Sequence, residues 1–152
     1  MYTLYTGELT ELPIDKISGI VGGAKFVVHR REGRIDSCEY SWPDLTVRLT
    51  VMPNHELQDH LRGFQGYIAA GCKNLGIAPP KGLFERIAQV KLVLGFIATP
   101  DMDPAGRAEN ILGAIAYNSK SLIFHGGSVY NEDSDRLFPP AGNPDAVDLA
   151  SN

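Results

Sequence analysis

The segment VKLVLGFIATP, residues 90–100, constrains the fold more than any other stretch of this chain. It is a nearly continuous apolar run closed by Pro100, and such a run reads as a strand buried on both faces. The other elements are read as parts of the sheet that this strand needs around it.

Three segments before it have β-type patterns, at residues 25–30, 35–42 and 45–52, with Glu32-Gly33 and Pro43-Asp44 as turn chemistry between them. In the third, Leu45, Val47, Leu49 and Val51 share one face and Thr46, Arg48 and Thr50 the other, the pattern of a half-buried strand in an antiparallel meander. The opening stretch, Tyr2 to Leu12, alternates loosely around Thr6-Gly7-Glu8 and reads as a short strand or hairpin ended by Pro13.

After Pro53 the apolar period changes from two to between three and four, with Leu57, Leu61, Phe64, Ile68, Cys72 and Leu75 on one helical stripe. Asn54 is the expected N-cap, Glu56 sits in the first turn and Gly76 is the stop. Interior glycines cost a helix about 1 kcal/mol each relative to Ala, so Gly63, Gly66 and Gly71 predict close packing against this helix. A helical turn is expected at Leu83–Ala88. Asp103-Pro104 then looks like an N-cap and first position of a second main helix, with Ala108, Ile111, Leu112 and Ile115 as its stripe. SLIF, residues 121–124, is the next strand, and strand–helix–strand at this spacing predicts a parallel βαβ crossover. Val129-Tyr130 and Arg136–Phe138 flank the polar NEDSD and predict a terminal hairpin or short edge strand.

The fold expected is therefore α+β: a mixed, largely antiparallel sheet with two main helices packed on one face as a two-layer sandwich, and one βαβ crossover near the C-terminus. Residues 1–138 are expected to form a single domain, and 139–152 a loop and flexible tail. This layout resembles, in architecture alone, that of several small bacterial domains without a catalytic motif.

A net charge of −4 argues against a phosphate-binding footprint, so no nucleic-acid partner is expected. The basic cluster His29-Arg30-Arg31 with Arg34 brackets Gly33 and reads as a charged hairpin tip. No apolar stretch is long enough for a membrane span, and no secretory signal is visible at the start, so a cytoplasmic location is the expectation. Cys38 and Cys72 read as free buried thiols.

GIVGGAK, residues 19–25, has the wrong glycine spacing for a phosphate loop and leads into a strand. His55 and His60 are five residues apart, where zinc-binding helical pairs use four, so with Glu56 and Asp59 they read as a polar helix face. NEDSD lacks the glycine and terminal glutamate of a calcium loop. No metal or cofactor is expected.

One catalytic arrangement is conceivable from the crossover. It brings ATPDMD and HGGS to the same ends of two parallel strands, where Thr99, Asp101, Asp103, His125 and Ser128 would meet beside Gly126 and Gly127. His125 would be the general base, oriented by Asp101 or Asp103, for Ser128 or a water. The competing reading makes the aspartates cap and turn residues and the glycines a simple bend. The primary expectation is a small acidic protein-binding domain without catalytic activity that neutralises a partner in the manner of immunity or antitoxin proteins. Its partner is another protein or a second copy of itself, and Tyr40, Trp42, Glu132, Asp133 and Asp135 are the candidate binding residues. A small hydrolase or transferase built on His125 is the alternative.

Overall fold

The computed structural model describes residues 1–100 and 106–140. Their elements are β1 (Tyr2–Thr6), α1 (Ile14–Val21), β2 (Lys25–Arg31), β3 (Arg34–Trp42), β4 (Leu45–Val51), α2 (Asn54–Leu75), α3 (Leu83–Ala88), β5 (Leu92–Thr99), α4 (Arg107–Ser119), β6 (Leu122–His125), β7 (Ser128–Tyr130) and β8 (Arg136–Phe138). The strands form one 8-stranded sheet in the order β2-β3-β4-β5-β1-β6-β7-β8. The α+β class expected from the sequence is the class observed.

Every hydrogen-bonded pair is antiparallel. β5 and β6, expected as parallel strands either adjacent or one strand apart, are one strand apart: β1 lies between them and is antiparallel to both, so they run the same way but are not bonded to each other. The mixed sheet is thus corrected to an antiparallel one. The opening segment is a single central strand, not a hairpin. Thr6 ends it with local and distant bonds: its hydroxyl donates to the Ser119 carbonyl (2.7 Å) and accepts the Glu8 N–H (3.1 Å).

Strand parity shows that helices cover both faces, which corrects the one-faced, two-layer arrangement. Leu4, Leu92, Leu94, Phe96 and Ile123 pack with Ile17 and Val21 of α1 and with Ile111, Leu112 and Ile115 of α4. Their strand neighbours Tyr5, Val93 and Leu122 point the other way and pack with Leu61, Phe64 and Ile68 of α2 and Leu83 and Ile87 of α3. The doubly buried β5 demands this, since alternate side chains of an apolar strand must leave water on opposite sides. The two covers are offset. Strand residues from β3 to β6 join the first core, and residues from β5 to β8 join the second.

Helix α1 was not expected. Its Ile, Val and interior Gly19 are poor helix formers, and burial of Ile17 and Val21 under α4 overrides that propensity. Helix α2 begins at its expected cap residue, one position early: Pro53 holds the N-cap position, Asn54 is helical, and no side chain among the described residues caps the turn. Its end matches the expectation. Gly76 takes φ 66°, and the N–H groups of Gly76 and Ile77 bond back to the Lys73 and Cys72 carbonyls (3.2 and 3.0 Å), a Schellman stop. The expected cap Asp103-Pro104 lies outside the described residues, as do residues 141–152 of the expected tail.

The interior glycines of α2 divide. A Cβ at Gly71 would strike the ring of the fully buried Phe138, whereas Gly63 and Gly66 face open space. Gly71→Ala is expected to destabilise by about 1–2 kcal/mol, overpacking exceeding the gain in helix propensity. Gly63→Ala and Gly66→Ala are expected to stabilise by roughly 0.5–1 kcal/mol. Urea unfolding of the three variants measures the contrast.

Candidate interaction surface

HGGS is a hairpin. His125 and Ser128 form the closing pair of β6 and β7, and Gly126 and Gly127, at φ 57° and 80°, fill the two central positions that require positive φ. His125 stacks on Tyr2 (ring centroids 3.9 Å), and its Nδ1 donates to the Met1 carbonyl (3.0 Å). The Ser128 hydroxyl is buried, with no hydrogen-bond partner among the described residues. Asp101 and Asp103 lie outside those residues.

The five candidate binding residues do not form one patch. Tyr40 and Trp42 belong to β3, while Glu132, Asp133 and Asp135 occupy the β7–β8 tip at the far end of the sheet. Tyr40 is 2% exposed, its hydroxyl lies 3.3 Å from Ser18 Oγ, and burial pushes its phenol up to about 12. Trp42 is half-buried beneath the Arg107 guanidinium (5.1 Å), which also bonds Asp44 (2.9 Å). The acidic tip is wound around Asn131, whose side-chain oxygen accepts the N–H groups of Asp133 and Asp135 (3.0 and 2.9 Å). Glu132 turns inward to Arg86, and backbone hydrogen bonding together with that guanidinium holds its carboxyl below the usual value. The pair borders an open cleft of about 260 Å³ with Gly7, Glu8, Gln89 and Lys120.

A different surface stands out at the β2 end. Register aligns Val27, Glu39, Arg48 and Ile97 in one row across β2, β3, β4 and β5, on the α2 side of the sheet. Val27 is 52% and Ile97 38% exposed, with the Arg48–Glu39 pair (3.8 Å) between them. On the opposite face of β2, Phe26 is 46% exposed and stacks on Tyr40 at 5.7 Å. Burial at this site is shallow because the α2 and α3 core is built on β5 to β8, leaving the α2 side of β2 to β4 to polar and exposed residues. Phe26, Val27 and Ile97 were not singled out from the sequence. The available signal was KFVVHRR, in which apolar residues do not alternate and cations stand at both ends, the composition of an edge strand.

Among the described residues, no group of three or more His, Cys, Asp and Glu is placed to hold a metal ion, and no helix is long and apolar enough to cross a membrane. Compared with protein-family models, curated proteins and solved structures, the chain matches none of them.

Proposed function

We propose that this chain is a non-catalytic protein-binding domain that engages its partner at the β2 end of the sheet. The observation that carries the reading is exposed Val27 and Ile97 on one face together with exposed Phe26 at a sheet edge that is unpaired among the described residues. Val27 and Ile97 flank the Arg48–Glu39 pair on one face, an arrangement of apolar and polar groups that suits a contact surface. The finer form of the proposal is a domain that neutralises its partner, as immunity and antitoxin proteins do, and it draws on the net charge of −4.

The alternative, a small hydrolase or transferase, draws on one observation: His125 donates from Nδ1, which leaves Nε2 as an acceptor, in the strand pair that also carries the unpartnered Ser128 hydroxyl.

A photo-crosslinking residue placed at position 27 or 97, with the 64%-exposed Tyr117 as control position, tests the proposal in the cells that make the protein. The expected result is one discrete adduct from 27 and 97 and none from 117. Equal labelling at all three, together with ester or peptide turnover that disappears in His125→Ala, overturns it in favour of the enzyme.

A further inference from the structure

We infer that β2 accepts an acidic, extended segment of a partner protein as a ninth, antiparallel strand of the sheet. This inference rests on the protein-binding reading and names the class of partner. Among the described residues β2 is bonded to β3 on one side only, so its outer edge offers a row of main-chain donors and acceptors. Phe26 and Val27 project to opposite faces of that edge, and both are exposed. An incoming strand therefore meets an apolar neighbour on either face of the pleat.

Charge selects the occupant. The β2–β3 hairpin carries Lys25, Arg30, Arg31 and Arg34 against Glu32, Asp36 and Glu39, within a chain of net charge −4, and three of those four cations lie on β2, which holds no acidic residue. None of those four cations forms an ion pair among the described residues. Glu32 lies in the turn, Glu39 faces Arg48 (3.8 Å), and the register shift between His29 and Arg30 leaves Asp36 without an opposing residue. The edge is thus a locally basic strip on an acidic protein.

Self-pairing is the obvious competitor, and the same charges oppose it. In the register that overlaps the whole of β2, two copies related by a two-fold axis at Val28 place Lys25 opposite Arg31 and Phe26 opposite Arg30. Like charges directly opposite destabilise a strand pair, and cations on an edge are a recognised guard against that association. A guard against copies of the same strand becomes an attraction for a strand of the other sign. Acidic side chains entering the register would meet Lys25 at one end and Arg30 and Arg31 at the other, while main-chain bonds form between.

The test uses the full chain and two capped peptides as long as β2. Both alternate valine and threonine. One carries glutamates at its ends, and the other lysines at the same places. Amide resonances of the protein are followed during titration. The glutamate peptide is expected to shift resonances within Lys25–Arg31 and to bind about tenfold more tightly than the lysine peptide. Arg30→Glu combined with Arg31→Glu, both at exposed positions, is expected to reverse that preference. Equal binding of the two peptides, shifts centred on β8 or α2, no binding of either, or concentration-dependent protection of β2 in the free protein each overturn the inference. The broader reading is separable from these failures. A discrete adduct from positions 27 and 97 with no peptide response leaves a partner docked on the sheet face and removes only strand addition.

Discussion

Phe138→Ala is expected to lower stability by about 3–5 kcal/mol, or roughly 6–20 °C in Tm. β8 has three residues and, among the described residues, a single hydrogen-bonded neighbour, so its backbone alone holds it weakly. What fixes it is Phe138, fully buried, whose ring fills the space left by Gly71 and meets Tyr67 edge-on with ring centroids 6.1 Å apart. Truncation leaves a void beneath α2 that neither a strand end nor a helix interior can close cheaply. Leucine at 138 should lose less than alanine. Thermal and urea unfolding of the two variants measure the difference, and a loss below about 1 kcal/mol for alanine would show that α2 and β8 are not packed as described.

The second large effect is alkaline. Burial pushes the Cys38 thiol up to about 11 from 9.0 and the neighbouring Tyr40 phenol up to about 12 from 10.0. Below pH 9 both groups are protonated whether the chain is folded or not, and their contribution to stability is fully present. As pH rises past 9 the unfolded thiol releases its proton while the folded one keeps it, and past 10 the phenol behaves alike. The unfolded state then binds fewer protons, so stability falls with pH, by about 1.4 kcal/mol per pH unit for each group in its own window. The loss is complete only above about 11 for the thiol and about 12 for the phenol. Cys38→Ala is expected to reduce the part of the slope that starts near pH 9, to which the buried Cys72 thiol also contributes, and to leave most of the part that starts near 10, where burial raises the phenols of Tyr2, Tyr5 and Tyr67 as well as that of Tyr40. Urea midpoints measured through that range check it, and an unchanged slope in the variant would contradict the assignment.

Much of the fold was legible, and the reasons differ by element. β4 is the clearest case: its alternation puts Leu45, Val47 and Leu49 into the core and leaves Arg48 exposed, as the pattern demands. The stripe of α2 and its Gly76 stop were equally readable, because one face of that helix meets one core. The central position of β1 was not readable. Tyr2–Thr6 carries no label of strand order, and only pairing with both β5 and β6 reveals that it separates them. The two-faced cover was implied by the apolar run at residues 90–100, since a strand apolar at successive positions needs partners above and below. That implication was outweighed by the strong amphipathic patterns of two helices, which fit one face equally well.

The candidate site was less legible. The histidine, serine and glycines of HGGS satisfy hairpin geometry, which selects similar residues to those a catalytic turn needs. Exposure decided the alternative surface, and exposure depends on where α2 and α3 stop covering the sheet, a tertiary property that periodicity within β2 does not encode.

The most direct test of the account is amide hydrogen exchange of the free protein across β2. A free edge predicts that, from Lys25 to His29, every second amide exchanges at nearly solvent-exposed rates while its neighbours are protected by β3, with the amides of β5 and β1 slowest of all. Continuous protection through Lys25–His29 would show that this edge is already paired, and it would contradict the proposed docking of a partner strand there.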